Sequence, residues 1–142
     1  MRHSNGGGYV AETARVASTA FIGPNAKVLD YAQVLGHAKV FGHAKVLGNA
    51  EVFGHAKVLG NAKVHNYAQV YDNTRVFDSA SICGTAWIHG DAKIYGCADV
   101  RGDANVLGDS RIYGHAQVYD NAWVYGEANI CGNAEITGKV DI

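Results

Sequence analysis

Long apolar runs are missing from this 142-residue chain. Nothing approaches the roughly 18 consecutive apolar residues of a membrane span. The opening MRHSNGGGYVAE has no apolar stretch of the kind a secretory signal needs. Cysteine is scarce: Cys83, Cys97 and Cys131 are odd in number and too few for a disulfide framework. An excess of either charge is also absent. With 12 Lys and Arg against 13 Asp and Glu, the chain is not a strongly basic nucleic-acid binder. These absences point to a cytoplasmic address and no membrane partner, with signal-free export or a place in a virion left open.

The even total hides an asymmetry. Residues 1–71 carry seven Lys or Arg and three Asp or Glu, about +4, whereas residues 72–142 carry five and ten, −5.

What the chain has is a repeat. Every sixth residue from Val10 to Ile142 is Val or Ile, 23 positions in a row without an insertion. The slot two residues earlier holds Ala from Ala14 to Ala134, with Thr74 and Ser110 standing in. Two residues after the Val or Ile comes Gly, or sometimes Asp or Asn. Ala and Val two apart, with a polar residue between, mark one face of a short strand. Gly, Asp and Asn then supply a corner, because they tolerate backbone angles that other residues resist. Gly at this spacing would fall in every second turn of a helix, and strands of identical polarity cannot form hairpins. A coil in which each unit stacks on an equivalent one satisfies every copy alike.

The phrase IGPNAK at residues 22–27, continued in phase along nearly the whole chain, resembles the hexapeptide-repeat family. The opening GGGYVAETARVASTAFIGPNAKV and the wording VYGEA and VLGNA are similar to uncharacterised bacterial and prophage proteins of that family. The resemblance implies an all-β fold, a single-stranded left-handed parallel β-helix (a β-solenoid) shaped as a triangular prism with three hexads per coil. Residues 10–142 would then make about seven coils with no insertion and no evident C-terminal cap, preceded by a lead-in at residues 1–9. At about 4.8 Å per coil the prism would be roughly 35 Å long. Val, Ile and Ala would fill its interior, so function belongs on the outside or at the ends.

Positions three hexads apart should stack in columns. Lys39, Lys57, Arg75, Lys93 and Arg111 form a cationic column through five coils, beside a largely aromatic one of Phe41, Leu59, Phe77, Tyr95 and Tyr113. Together they could face a polyanion such as an acidic glycan, or another copy of the chain. Against this, Asp91 and Asp109 stand two residues before Lys93 and Arg111 and could pair with them, leaving an ordinary solvated face. His37, His43, His55 and His115 occupy a turn slot that also accepts Asn, Asp, Thr, Tyr, Cys and Lys, so they read as turn residues. His37 under His55, and Cys97 under His115, have no evident third partner for a metal or a catalytic set. Trp87 and Trp123 share a column with Asn105 between them, a stacking platform for a sugar ring or two isolated surface aromatics.

No residue set is therefore assigned to catalysis, metal or cofactor. The resemblance also implies an alternative, acyl transfer from an acyl-CoA by a trimer with His65, His89 or His115 as base. The sequence itself favours a structural scaffold that self-associates. Its ends carry core residues, Val10 and Val16 at one and Ile136 and Ile142 at the other, and a basic half that could meet the acidic half of the next copy.

Overall fold

The computed structural model describes residues 1–141. The repeat folds as the columns require. Among the described residues there are 23 short strands and no helix. The first four are β1 (Tyr9–Val10), β2 (Arg15–Val16), β3 (Phe21–Ile22) and β4 (Lys27–Val28). Strand β1 pairs in parallel with β4, Val10 lying opposite Val28, so one turn of the coil takes three hexads. The same step repeats into three parallel sheets of eight, eight and seven strands. Two-residue strands are marginal singly. From Lys27 to His115 each unit nevertheless gives three backbone bonds to the next coil, such as Lys39 N–H to Ala56 O at 2.9 Å, Phe41 N–H to Val58 O at 3.0 Å and His43 N–H to Gly60 O at 2.7 Å. The interior is solid: Val, Ile and Ala from Ala20 to Ala128 are essentially inaccessible, and Ser110 and Thr74 take alanine positions within it.

The corners come in two kinds. From Asp30 to Gly132 every corner opens with a residue at positive φ, thirteen glycines together with Asp30, Asn66, Asp72, Asp78 and Asp120. Ala44 N–H then closes the turn on Phe41 O at 3.4 Å, the pattern of a type II′ turn. The first coil differs. Pro24 cannot take positive φ, and the turns that Ala14, Ala20 and Ala26 close on Ala11, Ala17 and Gly23 use ordinary φ values.

The two ends depart from simple continuation. The lead-in folds under the first coil: Arg2 bridges Tyr9 in antiparallel fashion, Val10 N–H donates to Met1 O at 2.7 Å and Ile22 N–H to Asn5 O at 3.0 Å. Val10 is consequently only 9% exposed, and Val16 is half-buried. At the other end lie β20 (Trp123–Tyr125), β21 (Asn129–Ile130), β22 (Glu135–Ile136) and β23 (Lys139–Asp141). Strand β23 sets Val140 opposite Val124, so Val140 takes the core position that the sixfold period assigns to Ile142. The last step is thus shorter than three full hexads. Ile142 itself lies outside the described residues. The cause is local: Trp123 N–H bonds Gly138 O at 3.0 Å, so the chain turns back before a full corner is built.

Candidate functional site

The cationic column is real at the level of register. Lys39, Lys57, Arg75, Lys93 and Arg111 are successive Cα partners, bracketed by Phe21 and Asn129. Beside it runs a trough whose far wall is a column of turn residues, His37, His55 and Asn73, then Asp91, Asp109 and Glu127. Its two parts have volumes of about 610 and 670 Å³ and share Asn73 and Arg75, so the trough is continuous. Its N-terminal part carries cations and two imidazoles, whereas its C-terminal part sets carboxylates across from cations. The pairing expected of Asp91 with Lys93 and Asp109 with Arg111 is not formed. Among the described residues the ion pairs are Arg101–Asp99 at 3.2 Å and His89–Asp72 at 4.0 Å. Each Asp sits on a corner and each cation on a flat wall, and the trough lies between them.

The aromatic column is less exposed than a free stripe would be. Phe77, Tyr95 and Tyr113 stack face to face with centroids 4.8 and 4.9 Å apart, and Phe41 meets Phe21 edge-on at 6.5 Å. The slot is half-buried along its length. The same packing joins Phe53, Tyr71 and His89 on another edge, at 4.8 and 4.9 Å. These rings cover the prism's edges from coil to coil. The phenol of Tyr71 titrates above its usual range because it is buried and lies beside Asp72.

The histidines are held separately. His37 stacks on His55 at 5.4 Å. His65 Nε2 lies 3.4 Å from Ser81 Oγ, and His89 Nε2 lies 2.9 Å from Asn105 Oδ1. Among the described residues no group of three metal-ligating side chains stands together. All three cysteines are free. Burial, with Asp99 beside it and Arg101 opposing in part, pushes the Cys83 thiol up.

One cluster escaped the sequence reading. Arg101 donates to Asp99 Oδ2 at 3.2 Å and to Gln117 Oε1 at 3.0 Å, and its guanidinium lies 4.6 Å from the centre of the Tyr119 ring. The signal was present: Arg101 is the only Lys or Arg in the slot otherwise held largely by Leu, Phe and Tyr. The cluster ties two successive coils together and directs the guanidinium to the wall itself.

Comparison with known proteins finds a likeness in two stretches of the repeat. The family model described as YdcK beta solenoid repeat fits residues 68–84 and 110–126. The two stretches start seven hexads apart, which is not a whole number of coils, so one phrase is read on two different walls. No curated protein and no solved structure matches the chain. By its coils and by this match, the chain is a β-solenoid repeat protein.

Proposed function

We propose that this β-solenoid is a non-catalytic structural element that associates with further copies of itself, end to end. The observation that carries the reading is the C-terminal terrace, the open edge of the last coil among the described residues. There, among the described residues, β21, β22 and β23 are the outermost strands of their sheets, and Ile136 and Val140 are half-exposed. A strand edge with apolar side chains is a template for another strand. On the opposite end the lead-in covers Val10 and the β3 edge, which leaves β2 with Val16 as the open strand. Covering the part of Val16, Ile136 and Val140 that is still exposed would gain roughly 2–5 kcal/mol, against about 4–15 kcal/mol for immobilising a partner. Apolar burial alone reaches only the lower end of that cost, and pairing of the open strand edges has to add to it. Charge adds to it: Arg2 and Arg15 outnumber Glu12 at one end, and Glu127 and Glu135 outnumber Lys139 at the other. A head-to-tail join of this kind is heterologous and extends without closing.

The test is electron microscopy and sedimentation of the purified chain at about 20 and about 500 mM salt, on either side of strong screening. Rods that lengthen at low salt support the proposal. Discrete particles of one size at both concentrations would overturn it.

A second reading rests on the trough. Its N-terminal part sets Lys39, Lys57, Arg75 and the His37–His55 pair along one groove with no carboxylate in its lining. An acidic glycan laid along the prism would meet a cation at every coil. Retention on a sulfated-polysaccharide column, lost on Lys39→Glu with Lys57→Glu, is the expected result. Acyl transfer, which the family resemblance also suggests, has no comparable support: His65 and His89 each point to a neighbouring polar side chain of the wall.

A further inference from the structure

Trp87 and Trp123 are the only tryptophans in the chain. Each is 46% exposed, although indole is among the costliest surfaces to leave in water. Both stand at the outward position of the same sheet, with Asn105 as the Cα partner of each. They are thus two coils apart, roughly 9.6 Å along the axis at the usual strand spacing. Between them lies a hollow of about 320 Å³ lined by Thr85, Trp87, Asp103, Ala104, Asn105 and Trp123.

The polar groups of this hollow are oriented. Asn105 Oδ1 is 2.9 Å from His89 Nε2, which can donate to it, so the Asn105 amide N–H groups are turned to other acceptors. Thr85 Oγ1 donates to Asp103 Oδ1, leaving the second carboxylate oxygen of Asp103 without a partner from Thr85. Trp123 is braced by Tyr125, edge-on at 6.4 Å, and by the Lys139 ammonium at 5.8 Å from its ring centre. Apolar faces at a two-coil interval, with a hydrogen-bond donor and acceptor between them, match a ligand that repeats on the same length.

We propose that this wall binds an extended, neutral β-1,4-linked glycan lying along the prism axis. In such a chain successive rings are flipped, so every second ring presents the same face, and the two-sugar repeat equals about two coils. Two rings would stack by their C–H faces on Trp87 and Trp123. The intervening ring would offer hydroxyls to the Asn105 amide and the Asp103 carboxylate. That carboxylate repels an acidic chain or a nucleic acid strand, which separates this wall from the cationic trough. An α-1,4-linked chain curves and cannot follow a straight column.

The test exploits the tryptophan content, since all indole emission comes from the two residues concerned. The intact chain is titrated with β-1,4-linked hexamers of glucose and of N-acetylglucosamine, with affinities confirmed by calorimetry. Saturable emission change with at least one hexamer is expected, and the corresponding disaccharide, too short to reach both indoles, should bind at least about tenfold more weakly. Trp87→Ala and Trp123→Ala should each weaken hexamer binding by about tenfold, while Trp123→Tyr retains most of it. Both side chains lie outside the core, so unchanged melting of the variants serves as the folding control. No response to either hexamer at millimolar concentration would overturn the proposal. So would equal binding of an α-1,4-linked glucose hexamer, or full affinity in the double alanine variant.

Discussion

Thr74 occupies a slot shaped for alanine, fully buried, and its hydroxyl has no partner. Ser110, in the same column, returns its hydroxyl to Leu107 O at 2.7 Å and is satisfied. An unpaired buried hydroxyl costs about 1–3 kcal/mol. Thr74→Val keeps the shape and removes the orphan, so it should raise stability by about 1 kcal/mol in urea unfolding. Corner glycines divide by what lies above them. A Cβ on Gly60, at φ +68°, would come 2.9 Å from the Asp78 nitrogen, whereas one on Gly132, at +66°, meets nothing within 4 Å. Gly132→Ala should therefore cost only the left-handed backbone penalty, about 1 kcal/mol, and Gly60→Ala about 2 kcal/mol or more, both read by urea unfolding. At three of the four positive-φ Asp corners the carboxylate is used: Asp30, Asp72 and Asp78 accept from the N–H of Gly48, Gly90 and Gly96 at 3.0–3.1 Å. Each such residue has a glycine above it, which is why two side chains never collide there. The thiols divide in a similar way. Cys97 and Cys131 are exposed, while Cys83 is half-buried with its pKa raised by burial first and Asp99 second. A raised pKa means less thiolate at mildly alkaline pH, so iodoacetamide should label Cys83 last, as read by peptide mass mapping.

At the scale of the element, no two-residue strand stands by itself. Its stability comes from the coils above and below and from the rings that seal the edges. The Phe77–Tyr95–Tyr113 stack makes two such seals, and removing its middle ring breaks both. Tyr95→Ser should cost about 1–3 kcal/mol in thermal or urea unfolding, at roughly 0.5–1.5 kcal/mol per ring pair, while Tyr67→Ser, on an exposed corner, should cost little. The lead-in is an element in the same sense. Met1 O and Asn5 O accept from the Val10 and Ile22 N–H groups, and the segment covers Val10. For β1 and β3 it does what a neighbouring coil does along the rest of the prism, but with irregular backbone in place of a strand.

The whole molecule is a rod with a chemical gradient along it, basic at the lead-in end and acidic at the terrace. Self-association by the proposed join should depend on that gradient. Glu127→Lys with Glu135→Lys reverses the charge beside the terrace without touching a buried side chain. Loss of low-salt rods in this variant, with unchanged melting, is the expected outcome. Rods that persist would place the contact on the long faces.

Most of the fold was legible in the sequence because the repeat is its own register. A Val or Ile every six residues, an Ala two before and a Gly, Asp or Asn two after determine the wall, the core and the corner; three hexads to a coil was what the resemblance to hexapeptide-repeat proteins implied, and the pairing of Val10 with Val28 shows it. The columns of Lys39 to Arg111 and of Trp87, Asn105 and Trp123 were readable for the same reason. The tertiary structure decided what depends on neighbours more than one period away, or on the period failing. The lead-in closes over Val10 through backbone bonds that no side-chain pattern announces. The last step falls short of the period because the chain turns back at Gly138, and Val140 takes the place over Val124. Whether Asp91 and Lys93 meet, or stand across a trough, depends on the direction each side chain leaves its corner or wall. Sequence spacing sets which residues share a column; the shape of the corner sets which of them touch.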